Sequence, residues 1–191
     1  MKQIIKKHFN ESLNNISKLH EHTANILKIV SLIIDCKKKK SKILVVGNGG
    51  SAADAEHFTG ELLCTYSSKK RKPISAISLS SNLAAMSAWA NDFDYKTFYK
   101  RQVEAIGNRG DLLIILSTSG GTNKTSMNLV HAAKEAKKRG IKVISLLGKT
   151  GGVLKNISHI KIIVKSFSTA HIQEAQMAIL NSICECLEKK F

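Results

Sequence analysis

The fold of this chain is decided by residues 43–66, which begin Ile43-Leu44-Val45-Val46-Gly47-Asn48-Gly49-Gly50-Ser51-Ala52. A short apolar run is followed there by a glycine-rich turn and then by a helical pattern, an order typical of the strand–loop–helix unit of a parallel sheet. Glycines let the backbone approach a ligand closely, and a helix start offers unpaired N–H groups to an anion. The stretch therefore predicts a phosphate-binding turn at the carboxyl end of a strand, with Ser51 at the N-cap position of the helix.

This turn by itself leaves a structural alternative open. It matches neither the G-x-G-x-x-G dinucleotide pattern nor the lysine-bearing P-loop. Glycine-rich turns between a strand and a helix also occur in many doubly wound folds that use them only to connect the two elements. The rest of the chain has to decide between the two interpretations.

A histidine and a glutamate follow the turn at helical spacing. His57 and Glu61 are four residues apart, so they lie on one face of the predicted helix. Such a pair is often no more than a solvated surface contact. Beside a phosphate-binding turn, however, it indicates a small phosphorylated substrate handled by acid–base or metal chemistry.

The pattern of an apolar strand, a glycine-rich loop and a helix occurs a second time in the middle of the chain. A wholly apolar run, Leu112 to Leu116, precedes Ser117-Thr118-Ser119-Gly120-Gly121-Thr122, and a helical pattern continues through Lys138. Helix capping would explain one of these hydroxyl groups but not four. Two such loops at the carboxyl ends of parallel strands predict a ligand site between them.

Strand and helix patterns alternate along the whole chain. Further strands are predicted at 74–79, 141–147 and 160–164, and further helices at 83–90, 95–106 and 170–189. This alternation predicts a three-layer α/β domain with a five-stranded parallel sheet, spanning residues 1–191 without a linker or repeat.

The N-terminal segment, residues 1–40, shows apolar residues at helical intervals. It predicts one or two amphipathic helices, with a break near residues 21–23. The apolar stripe is long for a helix outside a sheet, so we expect the segment to pack against a partner subunit in an oligomer.

Composition narrows the classes of function. The 191 residues carry a net charge of +16, but aromatic residues make up only 5%, and no lysine cluster is interleaved with them as in single-strand binders. Nucleic-acid binding is therefore not favoured, and attraction of an anionic substrate is the hypothesis for the charge. We expect neither a membrane span nor a signal peptide, and four cysteines without C-x-x-C spacing indicate reduced thiols in the cytoplasm.

Several motifs, taken together, resemble one family. The motifs are Gly47 to Phe58, Ala90-Asn91-Asp92, Arg101 to Ala105, Ser117-Thr118-Ser119-Gly120 and Ile172-Gln173-Glu174-Ala175. In order and spacing they resemble the bacterial phosphoheptose isomerases, which are sugar-isomerase (SIS) domain proteins.

The resemblance implies a homotetramer that converts sedoheptulose 7-phosphate to D-glycero-D-manno-heptose 7-phosphate. This reaction belongs to the biosynthesis of the heptose found in surface polysaccharides. The resemblance also implies one zinc ion per subunit, bound by His57, Glu61 and Gln173, with Glu61 as the base that moves a proton between C1 and C2. Phosphate and substrate contacts are implied for a larger set: Asn48, Gly49, Ser51, Asn91, Asp92, Ser117, Thr118, Ser119, Thr122 and Gln173.

The chain departs from the family at the implied site. Asn181 stands at the fourth-ligand position, where the family has its second catalytic histidine, and asparagine cannot exchange a proton near neutral pH. His171 replaces an arginine, Gln176 a histidine and Asn82 an aspartate. Alternatives therefore stay open: a weak or silent SIS-domain tetramer that binds a protein, as the replication-initiator-associating factor does, or an isomerase of another sugar phosphate. Retention of His57, Glu61 and Gln173 favours a working or metal-bound site.

Overall fold

A parallel five-stranded sheet forms the centre of the computed structural model, which describes residues 1–122 and 124–191. The strands are β1 (Ile43–Val46), β2 (Ala76–Ser78), β3 (Leu112–Ser117), β4 (Lys142–Gly148) and β5 (Ile160–Val164), in the order β2-β1-β3-β4-β5. The chain changes direction across the sheet between β1 and β3, where Val46 is paired with Ile115. The loops that follow these two strands therefore lie side by side, at the position where doubly wound folds bind ligands.

Helices cover both faces of the sheet. They are α1 (Lys2–Ser17), α2 (Thr23–Lys38), α3 (Gly50–Leu63), α4 (Leu83–Asp92), α5 (Phe98–Ile106), α6 (Met127–Lys138), α7 (Leu154–Ile157) and α8 (Thr169–Glu188), with 3₁₀ turns at Lys18–His22 and Tyr95–Thr97. Alternate strand residues point to opposite faces. Ile43 and Val45 pack in one core with α2, α3 and α8, and Leu44 and Val46 pack in the other with α5 and α6.

The predicted architecture is confirmed, with small differences at element ends. β1 and β5 have the predicted bounds, and the 3₁₀ turn at Lys18–His22 accounts for the expected break in the N-terminal segment. The helix predicted at 83–90 is two residues too short, because α4 continues through Asn91 and Asp92, polar residues that are tolerated in a last helical turn. α6 begins at Met127, well after Thr122, because Gly120, Gly121 and Ser126 have positive φ, outside the range of the right-handed α-helix; Ser126 is the N-cap.

The first helix lies outside the two cores and has two different faces. One face turns polar residues, among them His8 and Ser12, toward α8. The other leaves Ile5, Phe9 and Leu13 more than half exposed in the single chain. Within the described ranges, no helix combines the length and apolarity that crossing a lipid bilayer requires.

Candidate active site

Two loops rich in glycine and hydroxyl side chains, residues 47–51 and 117–122, form the first half of the candidate site; we call them the hydroxyl loops. A cavity of about 40 Å³ lies between them and is lined by Asn48, Ser51, Leu116, Ser117, Thr118, Ser126 and Leu129. This volume exceeds what a single water molecule needs. Three of the predicted phosphate ligands, Ser51, Ser117 and Thr118, are thus brought together around one small polar space.

The hydroxyl groups also shape the second loop. Ser117 Oγ accepts a hydrogen bond from the Gly120 N–H at 3.0 Å, and Ser119 Oγ accepts one from the Gly121 N–H at 3.3 Å. Thr122 Oγ1 accepts from the backbone of Thr125 at 3.0 Å, but Thr122 is exposed and does not line the cavity. A hydroxyl that accepts from an N–H keeps its own proton to donate. The same side chains can therefore fix the loop and bind an anion.

A pair of asparagines connects the first hydroxyl loop to α6. Asn48 Nδ2 donates to Asn128 Oδ1 at 3.0 Å, and Asn128 Nδ2 donates back to Asn48 Oδ1 at 2.8 Å. Tyr95 donates its hydroxyl to Asn48 Oδ1 at 3.2 Å. Sequence reasoning missed Asn128 and Ser126; the one available signal was their position at the start of the helix that follows the second loop.

Glycine is required where the second hydroxyl loop meets the loop after β4. Gly120 has a φ of +71°, and a Cβ built on it would lie 2.1 Å from the carbonyl oxygen of Gly151. No side chain fits at that distance. The two loops thus pack backbone against backbone.

The second half of the candidate site is a helix surface, which we call the α3–α8 face: Asp54, His57, Glu61, Gln173 and Asn181. His57 Nε2 lies 3.1 Å from Glu61 Oε1. Gln173, in the first turns of α8, donates its Nε2 to Ser51 Oγ at 3.3 Å. Asp54, Gln173 and Asn181 all line a second, open cavity of about 590 Å³.

Asp54 has a carboxylate oxygen that is buried and lacks a hydrogen-bond partner among the described residues. Burial raises the pKa of the Asp54 carboxyl above its ordinary value, and the nearby His57 opposes that shift. A buried acceptor without a partner is costly unless a ligand or water satisfies it. Asp54 belongs to the motif that carries the family resemblance, yet sequence reasoning gave it no role.

Two implied substrate residues lie apart from both cavities. Asn91 and Asp92 are exposed at the end of α4, where the Asn91 side-chain amide donates to Asp92 at 2.8 Å. Gly49 is also exposed and lines neither cavity.

The side chains of the α3–α8 face include the types of donor atom that zinc binds in proteins. One imidazole nitrogen and one carboxylate oxygen lie 3.1 Å apart at His57 and Glu61, close to the separation of about 3.3 Å that bonds of about 2.0–2.1 Å give at a tetrahedral zinc ion. Gln173 carries an amide oxygen, a third donor of a suitable kind, but its side chain contacts Ser51 at the start of α3 and not the His57–Glu61 pair. Within the described residues, however, the group in which three His, Cys, Asp or Glu side chains converge is a different one: His8, His171 and Glu174.

A buried arginine holds the end of α3, on which Glu61 lies. The Arg71 guanidinium, only 6% exposed, donates to the backbone carbonyls of Glu61, Leu62 and Cys64. Glu188 lies 4.0 Å from Arg71 Nε. It accepts hydrogen bonds from the Ser67 hydroxyl and from the backbone N–H groups of residues 66–68, and these lower its pKa to about 2.

Comparison with known proteins gives a consistent result over the whole chain. The SIS-domain family model matches residues 7–148. A phosphoheptose isomerase of Helicobacter pylori (strain P12) is 42% identical over 189 residues, which is 98% of this chain and 96% of that protein. Phosphoheptose isomerase 1 of Campylobacter jejuni (serotype O:2) is 37% identical over the full length of both chains.

Comparison with solved structures finds the same group of proteins. A phosphoheptose isomerase from Neisseria gonorrhoeae superposes with a TM-score of 0.90 at 30% identity and covers 98% of each chain. One from Francisella tularensis gives a TM-score of 0.91 at 31% identity, with 98% of this chain and 97% of that one covered.

Proposed function

This chain belongs to the phosphoheptose isomerase family of SIS-domain proteins and is a phosphosugar isomerase; we propose that it converts sedoheptulose 7-phosphate to D-glycero-D-manno-heptose 7-phosphate for heptose biosynthesis. Gln173 supports the proposal most directly. Its amide contacts Ser51 in a hydroxyl loop, and it lines the open cavity together with Asp54 and Asn181. A substrate held by its phosphate in the hydroxyl loops would therefore extend past Gln173 toward Asp54 and Asn181 in this cavity, whose lining among the described residues does not include His57 or Glu61.

The phosphate end is bound at a distance from the chemistry. Ser51, Ser117 and Thr118 offer hydroxyl protons to phosphate oxygens, and the glycine turn gives the phosphate access to backbone N–H groups. This remote binding positions the carbonyl end of the opened sugar against α3.

Glu61 then moves the proton. Isomerisation removes a proton from C1, next to the carbonyl at C2, while the C2 oxygen takes a proton from water, and an enediol forms. Returning the C1 proton to C2, with loss of the O1 proton to water, completes the aldose. One carboxylate can serve both carbons because they are adjacent. His57 lies 3.1 Å from Glu61 Oε1 and orients that carboxylate.

The residues that would hold zinc are His57, Glu61 and Gln173, with the Asn181 side-chain oxygen at the fourth position. A zinc ion bound there would act as a Lewis acid toward the substrate carbonyl. Asn181 itself supplies no exchangeable proton, so we expect turnover to be slow for this reaction.

We also propose that the protein acts as a homotetramer. Ile5, Phe9 and Leu13 form an exposed apolar stripe on α1, whose opposite face contacts α8. Burial of such a stripe against α1 of another copy would remove apolar surface from water. Sedimentation analysis of the purified protein, compared with a Phe9→Glu variant, would give the subunit number and show whether the stripe is used.

The function is tested by incubating the purified protein with sedoheptulose 7-phosphate, with and without zinc, and following aldose formation. We expect Glu61→Gln to lower kcat about 10²–10⁴-fold. Glu56→Gln is the matched control, because Glu56 is an exposed residue on the same helix, and it should leave kcat unchanged.

Undiminished turnover in Glu61→Gln would contradict the role of this residue. Absence of turnover in the wild-type protein under both conditions would contradict the isomerase proposal. Capture of a replication-initiator protein in a pulldown would then support the binding role that the sequence left open.

A further inference from the structure

We propose that the junction between α1 and α8 is a second divalent-metal site, formed by His8, His171 and Glu174. His8 Nε2 lies 2.9 Å from Glu174 Oε1, and His171 Nδ1 lies 3.1 Å from Glu174 Oε2. The two imidazole rings are 4.5 Å apart at their centroids. One ligand atom from each residue falls within 4.8 Å of the other two, so a single ion can reach all three after a small expansion.

The surroundings of these side chains resemble the outer shell of a metal site. His171 Nε2 lies 3.0 Å from Glu11 Oε2, on the side of the ring opposite Nδ1. A proton held on Nε2 by that carboxylate leaves Nδ1 with a lone pair directed at the ion. This carboxylate–histidine–metal order is common in proteins because it fixes the tautomer and raises the basicity of the ligand.

Glu174 is held in the same way. Ser12 donates its hydroxyl to Glu174 Oε2 at 2.6 Å, which orients the carboxylate toward the two rings. His171 is 4% exposed, so α1 shields the group from bulk water on one side. A fourth ligand position would be taken by water or by Ser12 Oγ.

The donor atoms determine which ions fit. Two imidazole nitrogens and one carboxylate oxygen suit Zn²⁺, Co²⁺ or Ni²⁺, whereas Mg²⁺ and Ca²⁺ prefer oxygen ligands alone. The three residues differ from the zinc ligands proposed for catalysis: His57 and Glu61 lie on α3, and Gln173 and Asn181, although also on α8, are not part of this group. An ion here would attach the N-terminal helix to α8 and so set the position of the apolar stripe on α1.

The two sites can be separated by a His57→Ala variant, which removes a ligand of the catalytic group only. After equilibrium dialysis against Zn²⁺, we expect this variant to retain one ion per chain. Adding His8→Gln should weaken the remaining binding at least tenfold; His8 is half-exposed, so this change leaves the core intact. Adding His20→Gln instead is the matched control, because His20 is exposed in the 3₁₀ turn, and zinc binding should not change.

A second variant tests the outer shell. Glu11→Gln in the His57→Ala background should weaken zinc binding about 10–100-fold, although Glu11 is not a ligand. Zinc should also raise the Tm of His57→Ala but not of His57→Ala/His8→Gln.

Two results would overturn the proposal. One is that His57→Ala binds no zinc. The other is that its zinc affinity and its zinc-induced Tm shift are the same with and without His8→Gln. Either would show that the cluster is a set of hydrogen bonds and ion pairs only. Neither depends on whether the protein isomerises sedoheptulose 7-phosphate.

Discussion

The hydroxyl loops and the α3–α8 face differ in how firmly their functional side chains are held. Ser51 and Ser117 are 3% and 4% exposed, whereas the side chains of His57 and Glu61 are 52% and 24% exposed. Ser117 is fixed by backbone hydrogen bonding, and Ser51 accepts from Gln173. His57 and Glu61 extend from one helix, with the imidazole Nε2 3.1 Å from the Glu61 carboxylate. On the roles proposed above, the phosphate would be bound by firmly held loop residues, while the chemistry would depend on more exposed side chains of a helix.

The largest effect is expected from restoring a proton-exchanging group on the α3–α8 face. Asn181→His should raise kcat about 10²–10⁴-fold, because a second acid–base group would protonate the substrate oxygen. KM should change little, since the hydroxyl loops are untouched. Steady-state assays of Asn181→His and of Asn181→Gln, which adds length without a titratable group, would measure this. Equal rates in both variants would show that position 181 does not limit the chemistry.

The next largest effect should come from a substitution that the backbone conformation of the second hydroxyl loop does not allow. Gly120→Ala combines a φ of +71° with a Cβ only 2.1 Å from Gly151 oxygen. We expect a loss of roughly 2–4 kcal/mol in the free energy of unfolding, measured by urea titration.

Gly60→Ala on α3 is the control for this change. A Cβ at Gly60 meets nothing within 4 Å, so the variant should gain about 0.5–1 kcal/mol from helix propensity. Similar stabilities for both variants would refute the difference in rigidity between the two regions.

A smaller effect is expected from one phosphate-facing hydroxyl. Ser117→Ala should raise KM for the sugar phosphate about 10–100-fold, because the variant loses one hydrogen bond to a charged group. The kcat should stay close to the wild-type value, because the lost contact is the same in the ground and transition states. Ser182→Ala, which removes a hydroxyl that donates to the Ile179 carbonyl on α8, is the control. A lowered kcat at unchanged KM would assign Ser117 to the chemistry instead.

The smallest effect is expected from removing the carboxylate of Glu188, which lies beside the Arg71 that holds the end of α3. The size of this effect depends on pH. The folded-state pKa of Glu188 is about 2, below its ordinary value of 4.5. The stabilisation it gives is therefore fully present above about pH 5 and is lost as the pH falls through 2. Glu188→Gln should have a lower Tm than wild type at pH 7, and the two should converge in acid. Glu185→Gln, a change at an exposed neighbour on α8, should have the same Tm as wild type at every pH. A difference in Tm between Glu188→Gln and wild type that does not change with pH would contradict this account.

The sequence was sufficient to predict the sheet, while the roles of the candidate site residues stay predictions. β1 is a continuous apolar run because it is buried on both faces, and its bounds were predicted residue for residue. The bounds of β5, an edge strand whose apolar run is interrupted by the exposed Lys161, were also predicted correctly. Helical spacing correctly placed His57 beside Glu61. The contact of Asn48 with Asn128 and that of His8 with Glu174 could not be predicted, because they join residues far apart in the chain and depend on how helices pack. The substrate-binding role of Asn91 and Asp92 came from the resemblance alone and stays a prediction.

The close approach of Gly120 to Gly151 also has a consequence for directed evolution. Two backbones in contact leave no room for diversity at either position, so a mutant library spread over both loops would consist largely of misfolded proteins. Diversity placed at positions 177, 178 and 181 on α8, which line the open cavity, avoids that cost. New sugar specificities should therefore be sought from the helix side, with the glycines left unchanged.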